Sequence, residues 1–319
     1  MLTPQLLHYF SIGLTVALGS IGTGIGQGIG AFSAIGTMAR QKEGNDKTFK
    51  TMVIGLAFIE SGVILALVIA LLTLFGTAIE ITWPIALVEL GIALAIGFSA
   101  SAISIASSFA VKSSCESIAR QPFFSQKIVT IMLLSQSIIE APVVFAFIIC
   151  LIIRGKFSET LSIFEGIKLF AASFCIAIGC IGPSCGQAIF AHSSCRSVGL
   201  NKEAYGKIFT FSMVNQAIIE TPLIFCLLSS ILIIYNPLSS TNPIGSSIGF
   251  FSAALCIALG AFGTALAAGF VGSKSCYEIA IEPKNYGILF RSNILAIAFI
   301  ESAAIYTLII TLSLITKTY

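Results

Sequence analysis

Apolar residues run through this chain in long blocks, and polar residues are confined to short intervals between them. The block from Thr51 to Ala78 contains one ionisable residue, Glu60, and exceeds the roughly 20 residues that cross a ~30 Å hydrocarbon core. Eight blocks of this kind predict eight transmembrane helices, and the intervals between them are too short for a soluble domain. The fold class expected is therefore an all-α integral membrane protein. The start, Met-Leu-Thr-Pro-Gln-Leu-Leu-His, lacks the basic segment and small-residue cleavage site of a secretory signal, so the first block is expected to be retained as a span.

Four glutamates break the apolar pattern in mid-span: Glu60, Glu140, Glu220 and Glu301, at intervals of 80, 80 and 81 residues. An ionisable side chain near a bilayer centre costs ~2.5–3.5 kcal/mol on insertion scales, and usually marks an ion or proton pathway. The interval also defines a repeat. Ala39-Arg40-Gln41 matches Ala119-Arg120-Gln121-Pro122, Gly199-Leu200-Asn201 and Ala280-Ile281-Glu282-Pro283, each about 20 residues before its glutamate. Each repeat thus reads as a helical hairpin: a first helix, a polar turn, and a second helix with the acid midway. Glu60 lies nine residues beyond Thr51, ~14 Å along the helix and near the bilayer midplane. The four hairpins are expected at 1–80, 81–160, 161–241 and 242–319.

Each first helix has its own signature, clearest in Gly22-Thr23-Gly24-Ile25-Gly26-Gln27-Gly28-Ile29-Gly30. A nucleotide-binding glycine loop would need a preceding strand, a following helix and an acid about 20 positions on, and that context is absent. Small residues spaced by four instead let helix backbones approach in lipid. The later repeats agree: Gly22, Gly24, Gly26 and Gly28 become Ala102, Ser104, Ala106 and Ser108, then Gly182, Ser184, Gly186 and Ala188, then Gly263, Ala265, Ala267 and Gly269. Two adjacent faces of the first helix stay thin, as expected when first helices crowd around a narrow ring.

Composition adds that water is not the main solvent: 56% of the 319 residues are hydrophobic and 10% charged. The connections near 40–50, 112–127, 196–207 and 274–291 hold thirteen of the 17 basic residues, which places them in the cytoplasm and both termini outside. Opposite connections around Ile79–Pro84, Arg154–Leu161 and Tyr235–Pro243 carry Trp83, Tyr235 and several prolines, suited to an interface and to stopping helices. Glu89 and Glu165, near the outer ends of their spans, read as interfacial. Nine cysteines form no Cys-x-x-Cys pair, and Cys115, Cys195 and Cys276 recur at the repeat interval as compact apolar filler. His8 and His192 are single, so a metal site is not expected.

A Gly-rich first helix, an Ala-Arg-Gln-Pro turn and a second helix with a central carboxylate together resemble the c-subunit of F-type ATP synthases, their proteolipid rotor subunit. The resemblance covers essentially the whole chain. It is specific at Arg40-Gln41 and Arg120-Gln121-Pro122, which match the family's cytoplasmic turn, and weaker where Leu200 and Ile281 replace the arginine. Family members usually consist of one hairpin, so the chain resembles a fourfold tandem fusion. The resemblance implies a non-catalytic rotor component: copies close into a homo-oligomeric ring within membrane lipid, and the stator a-subunit delivers protons to Glu60, Glu140, Glu220 and Glu301. The turns at Arg40, Gln41, Arg120, Gln121 and Pro122 then meet the central-stalk subunits gamma and epsilon. No cofactor and no nucleic acid is implied, and the membrane is expected to be a bacterial plasma membrane. Desolvation disfavours a charged carboxyl, so the acid passes lipid neutral and releases its proton beside a stator arginine and an aqueous half-channel.

Sodium-carrying relatives add a first-helix glutamine and a hydroxyl directly after the carboxylate. Here Gln27 and Gln187 occupy the first position but Ser107 and Ala268 replace them elsewhere; Ser61, Thr221 and Ser302 supply hydroxyls but Ala141 does not; Tyr306 occurs in the last repeat alone. A hard cation needs several oxygens, so uneven sets favour protons and leave sodium open. An interhelical hydrogen bond explains Gln27 and Gln187 equally well. Pro142 and Pro222 deprive the carbonyls of Ile138 and Ile218 of helical donors, which points to local hydration. A V-type proteolipid is the nearest alternative, though such chains commonly lack the acid in one hairpin. A repeat-built secondary transporter fits four parallel acids poorly. A purely structural membrane oligomer explains the small residues but not the glutamates.

Overall fold

Long apolar blocks leave their backbone polar groups without water, and the helix is the structure that pairs those groups within one segment. The computed structural model describes residues 3–76, 80–158 and 160–317 and is helical throughout, with no strand among the described residues. Among the described residues eight helical spans are long and apolar enough to cross a membrane. In chain order the elements are α1 (Pro4–Arg40), α2 (Asn45–Phe75), α3 (Trp83–Arg120), α4 (Ser125–Ile139), α5 (Ala141–Arg154), α6 (Ile163–Gly179), α7 (Ile181–Leu200), α8 (Tyr205–Tyr235), α9 (Pro243–Ile281) and α10 (Tyr286–Thr316). The fourth span is α4 and α5, interrupted at Glu140; the fifth is α6 and α7, interrupted at Cys180. Of the connections between hairpins, Thr77, Ala78, Ile79 and Glu159 lie outside the described residues.

Local sequence explains the ends. Pro4, Pro84 and Pro243 sit in the first turns of α1, α3 and α9, where a missing N–H costs nothing, and the Thr3 and Asn242 side chains accept from Leu6 and Gly245. Glu165 completes a capping box with Ser162 at the start of α6. The turn within the first hairpin closes through Gly44 at φ 87°, a left-handed conformation that favours glycine. The other three close through short 3₁₀ turns at Pro122–Phe124, Lys202–Ala204 and Pro283–Asn285.

First helices pack in chain order, α1 on α3, α3 on α6 and α7, and these on α9, while α2, α8 and α10 pack alongside them. The register is uniform. Ser33 Oγ donates to the Lys112 carbonyl (3.5 Å), Ser113 Oγ to His192 (2.6 Å) and Ser193 Oγ to Ser273 (2.7 Å). One turn on, Ser117 and Ser197 bond the carbonyls of Cys195 and Cys276 at 3.0 and 3.3 Å. At the turns Gln121 Nε2 bonds the Gly199 carbonyl (3.0 Å) and Asn201 Nδ2 that of Ala280 (2.9 Å). Each hairpin therefore meets the next at equivalent residues. Cys115, Cys195 and Cys276 are fully buried between these rungs.

Glycine sets the spacing of this row. A Cβ on Gly22 would lie 2.2 Å from Ser101 Cα, and one on Gly26 2.4 Å from the Ser104 carbonyl oxygen. Gly182 and Gly186 meet Phe262 and Ala265 in the same manner, at 2.3 Å each. Both thin faces are used within the chain, the second at Gly269, the Gly28 equivalent, where a Cβ would lie 2.4 Å from the Gly186 carbonyl oxygen; in the first hairpin that face is open, since a Cβ on Gly24 or Gly28 would meet no atom within 4 Å.

Two further expectations are corrected. His8 has a partner and Glu89 is not interfacial: His8 Nδ1 lies 2.6 Å from Glu89 Oε2, and the residues are 3% and 2% exposed. The cause is register, since residues 81 apart face one another across α1 and α3. The two prolines near the acids also act differently. The helix breaks at Glu140, before Pro142, whereas Pro222 lies inside the unbroken α8. The break at Glu140 abuts the break at Cys180, whose thiol lies 3.4 Å from the Pro142 carbonyl and within three residues of Pro183.

Candidate functional site

The acids sit on α2 (Glu60), at the α4–α5 junction (Glu140), on α8 (Glu220) and on α10 (Glu301). In the first and third hairpins the first helix reaches the level of the acid through a glycine. A Cβ at Gly26 would lie 3.2 Å from Ile59 Cγ2, and one at Gly186 3.1 Å from Ile219 Cγ2. Each glycine thus packs on the residue before an acid, which brings Gln27 to the level of Glu60 and Gln187 to that of Glu220. Beside the first acid, Thr23 Oγ1 lies 3.0 Å from Ser104 Oγ, which donates to the Ile59 carbonyl (2.9 Å).

Two of the hydroxyls that follow an acid lie beside the acid of the next hairpin, Ser61 beside Glu140 and Thr221 beside Glu301, while their own hydrogens go to the backbone carbonyls of Phe58 and Ala217. Glu220 has no such partner from the preceding hairpin, because Ala141 occupies that position. Ser61 Oγ is also 2.8 Å from the Phe58 carbonyl, and Ser302 Oγ holds the same posture, 2.7 Å from Phe299. Glu140, Glu220 and Glu301 are half-buried, while Glu60, at the open end of the row, is exposed.

The supporting residues divide. Gln187 is 0% exposed and neither amide atom has a hydrogen-bond partner among the described residues, so a satisfied interhelical bond does not account for it. Gln27 is half-buried, and Tyr306 is exposed on α10. Among the described residues no group of three His, Cys, Asp or Glu side chains comes together to hold a metal.

At the turns, Arg40 and Arg120 are exposed and Gln41 is half-buried. Gln121 is bound to Gly199, and the Pro122 carbonyl accepts from Lys47 Nζ at 3.0 Å. These two groups therefore tie hairpins together. A crevice of about 1360 Å³ lies along α1 and α3 near the turns, lined by residues including Phe32, Arg40, Lys112 and Glu116, and does not include the acids.

Sequence reasoning missed a second polar layer, about one to two turns before the acids. Gln136 Nε2 bonds the Gly55 carbonyl (3.1 Å), Gln216 Nε2 bonds Ser135 Oγ (3.2 Å), and Asn293 Nδ2 bonds Asn215 Oδ1 (2.8 Å), all buried. The available signal was the pair Gln136 and Gln216, each four residues before its glutamate. Every one of these bonds joins consecutive hairpins.

Comparison with known proteins matches this arrangement hairpin by hairpin. The family model for the ATP synthase C subunit matches residues 10–73, 90–153, 170–233 and 251–314. The ATP synthase c-subunit of Geotalea uraniireducens (strain Rf4) is 49% identical over 64 residues, 20% of this chain and 70% of that protein. The chloroplastic c-subunit of Emiliania huxleyi is 49% identical over 64 residues, 20% of this chain and 78% of its own. ATP synthase c-subunit 2 of Syntrophotalea carbinolica is 44% identical over 68 residues, 21% and 77% of the two chains. One hairpin of this chain thus corresponds to most of a whole relative. Carrying the match four times in tandem, the chain belongs to the ATP synthase C-subunit family.

Proposed function

We propose that this chain is a rotor segment of an ATP synthase, carrying protons on Glu60, Glu140, Glu220 and Glu301 as a ring of such chains turns in the membrane. The observation that carries this reading is the repeated acid, once per hairpin, in hairpins packed at one register. Such a chain performs no catalysis itself. In the membrane each acid crosses the lipid-facing arc neutral and ionises beside the stator, and each charge moved gains ~2.3 kcal/mol per 100 mV.

Protons are favoured over sodium because the oxygen sets differ from acid to acid. The first-helix position reads Gln27, Ser107, Gln187 and Ala268, and the position after the acid reads Ser61, Ala141, Thr221 and Ser302. A hard cation would be held unequally at these sites, whereas a proton needs only the carboxyl. The buried unpartnered amide of Gln187 is the observation on sodium's side.

The partners in this reading are the stator a-subunit, facing the acids, and central-stalk subunits gamma and epsilon at the turns, where Arg40 and Arg120 are exposed. The basic turns face the cytoplasm and both termini lie outside. Carbodiimide labelling of purified rings, read by peptide mass, tests the choice of ion. Labelling at several of the four glutamates, unchanged by Na⁺ at neutral pH, is expected. Protection by Na⁺ would replace this reading with a sodium rotor.

A further inference from the structure

The connection between the second and third hairpins builds a crevice of its own, away from the acids and from the hairpin turns. It encloses about 400 Å³ at the ends of three helices, where α5 stops at Arg154, α6 starts at Ile163 and α8 stops at Tyr235. A volume of that size lies in the range of small-molecule sites. We propose that this crevice binds the phosphodiester group of a phospholipid headgroup, held by Lys156 and Lys168. The proposal does not depend on the ring reading above.

Charge is the first argument. Lys168 is 8% exposed, and a charge so buried is normally paired. Its Nζ donates to the Asn236 carbonyl at 2.9 Å, which uses one of its three hydrogens. No carboxylate forms an ion pair with Lys156 or Lys168 among the described residues. The acid in the lining is Glu165, and its Oε2 is occupied by the capping box, where it accepts from Ser162 N (3.1 Å) and Oγ (3.2 Å). Two ammoniums and one carboxylate leave the described lining with one net positive charge. A phosphodiester carries one negative charge and matches it, and lysine binds phosphate as a point charge. The Ser158 and Thr160 hydroxyls, also in the lining, add donors.

Depth selects a lipid over free phosphate. The ends of spanning helices mark the level where a chain leaves the hydrocarbon, and Tyr235, 60% exposed, stands there as an interfacial aromatic. Lys156 Nζ lies 4.4 Å from the centroid of that ring, which sets a cation beside an aromatic face at headgroup level. Leu169 and Ile234, both buried, add apolar lining. The repeat does not account for the crevice. Counting from the acids, the first connection has Gly76 and Val88 where the second has Lys156 and Lys168, and the third has Asn236 and Gly249. Its lining also falls wholly outside 90–153 and 170–233, the segments of these two hairpins that match the family. The site therefore belongs to the joining of two hairpins in one chain and not to the ion-carrying machinery.

Phosphatidylglycerol titrated into the purified native assembly in detergent, with bound lipid counted by native mass spectrometry, tests this. Lys156→Gln and Lys168→Met are each expected to weaken phosphatidylglycerol binding about tenfold, the size of one hydrogen bond to a charged group, while Lys284→Gln at a hairpin turn leaves it unchanged. A diacyl glycolipid without phosphate is expected to bind wild type and variants alike. Equal phosphatidylglycerol affinity in wild type and both lysine variants would overturn the proposal, as would an equal loss for the glycolipid, since phosphate would then not be the group recognised. Inorganic phosphate is the remaining arm: binding of it that needs the lysines, with phosphatidylglycerol binding that does not, would make the crevice a free-anion site and overturn the lipid assignment. Should Lys168→Met fail to fold, Lys156→Gln decides alone, because that side chain is exposed.

Discussion

Replacing Glu220 by glutamine is expected to remove essentially all proton-driven ATP synthesis, although the other three acids of the chain remain. The substitution keeps size and hydrogen-bonding capacity but removes the ionisable proton. In a closed ring every hairpin passes the stator once per turn, so a single carrier that cannot ionise halts the whole rotor. A carboxamide beside the aqueous half-channel has no charge for the membrane field to act on, and the gain of ~2.3 kcal/mol per 100 mV is lost at that step. Glu220 is the most informative of the four because the preceding hairpin has Ala141 at the position where others place a hydroxyl beside the next acid, Ser61 beside Glu140 and Thr221 beside Glu301. Synthesis by vesicles containing the purified complex, driven by an imposed proton gradient and potential, provides the measurement. Unchanged coupling after Glu60, Glu140, Glu220 and Glu301 are all replaced would end the rotor account.

The second large effect concerns packing. Gly186→Leu is expected to destabilise the folded chain by ~3 kcal/mol or more, the upper range for an overpacked core. The new Cβ would lie 2.3 Å from the Ala265 carbonyl oxygen and 3.1 Å from Ile219 Cγ2. The first of these is backbone, which cannot swing aside, so α7 and α9 must separate. Separation breaks the neighbouring rung from Ser193 to Ser273 and shifts the helix that carries the buried Gln187. Gly13→Leu is the control, because a Cβ there meets nothing within 4 Å. Thermal unfolding in detergent should show a lower midpoint for Gly186→Leu than for the control. Equal midpoints would mean that close backbone approach does not hold the row together.

Spans, repeat and acids were legible in the sequence because each follows from one-dimensional pattern. An apolar run long enough to cross a bilayer has one satisfactory backbone structure, and a charge inside it stands out. What the pattern did not contain was which repeat faces which. His8 looked isolated and Glu89 looked interfacial because their contact crosses two hairpins, and it emerges only once α1 and α3 are set in register. Gln121 fits a turn facing outward, yet its amide closes on Gly199, a residue of the next hairpin. The layer of Gln136, Gln216, Asn215 and Asn293 was hidden for the same reason, since a buried amide reads from sequence as a mere interruption until its partner is in place. Pro142 and Pro222 occupy equivalent positions, but the helix breaks only at Glu140, where Cys180 and the interrupted fifth span lie against it.

All of this depends on hairpins that continue, copy after copy, around a closed circle with one carboxylate each. Imaging the assembly purified from its native membrane, viewed along the rotation axis, tests that most directly. The account predicts a closed ring whose hairpin number is divisible by four, attached to a synthase. A solitary chain in the membrane, free of any such complex, would contradict it.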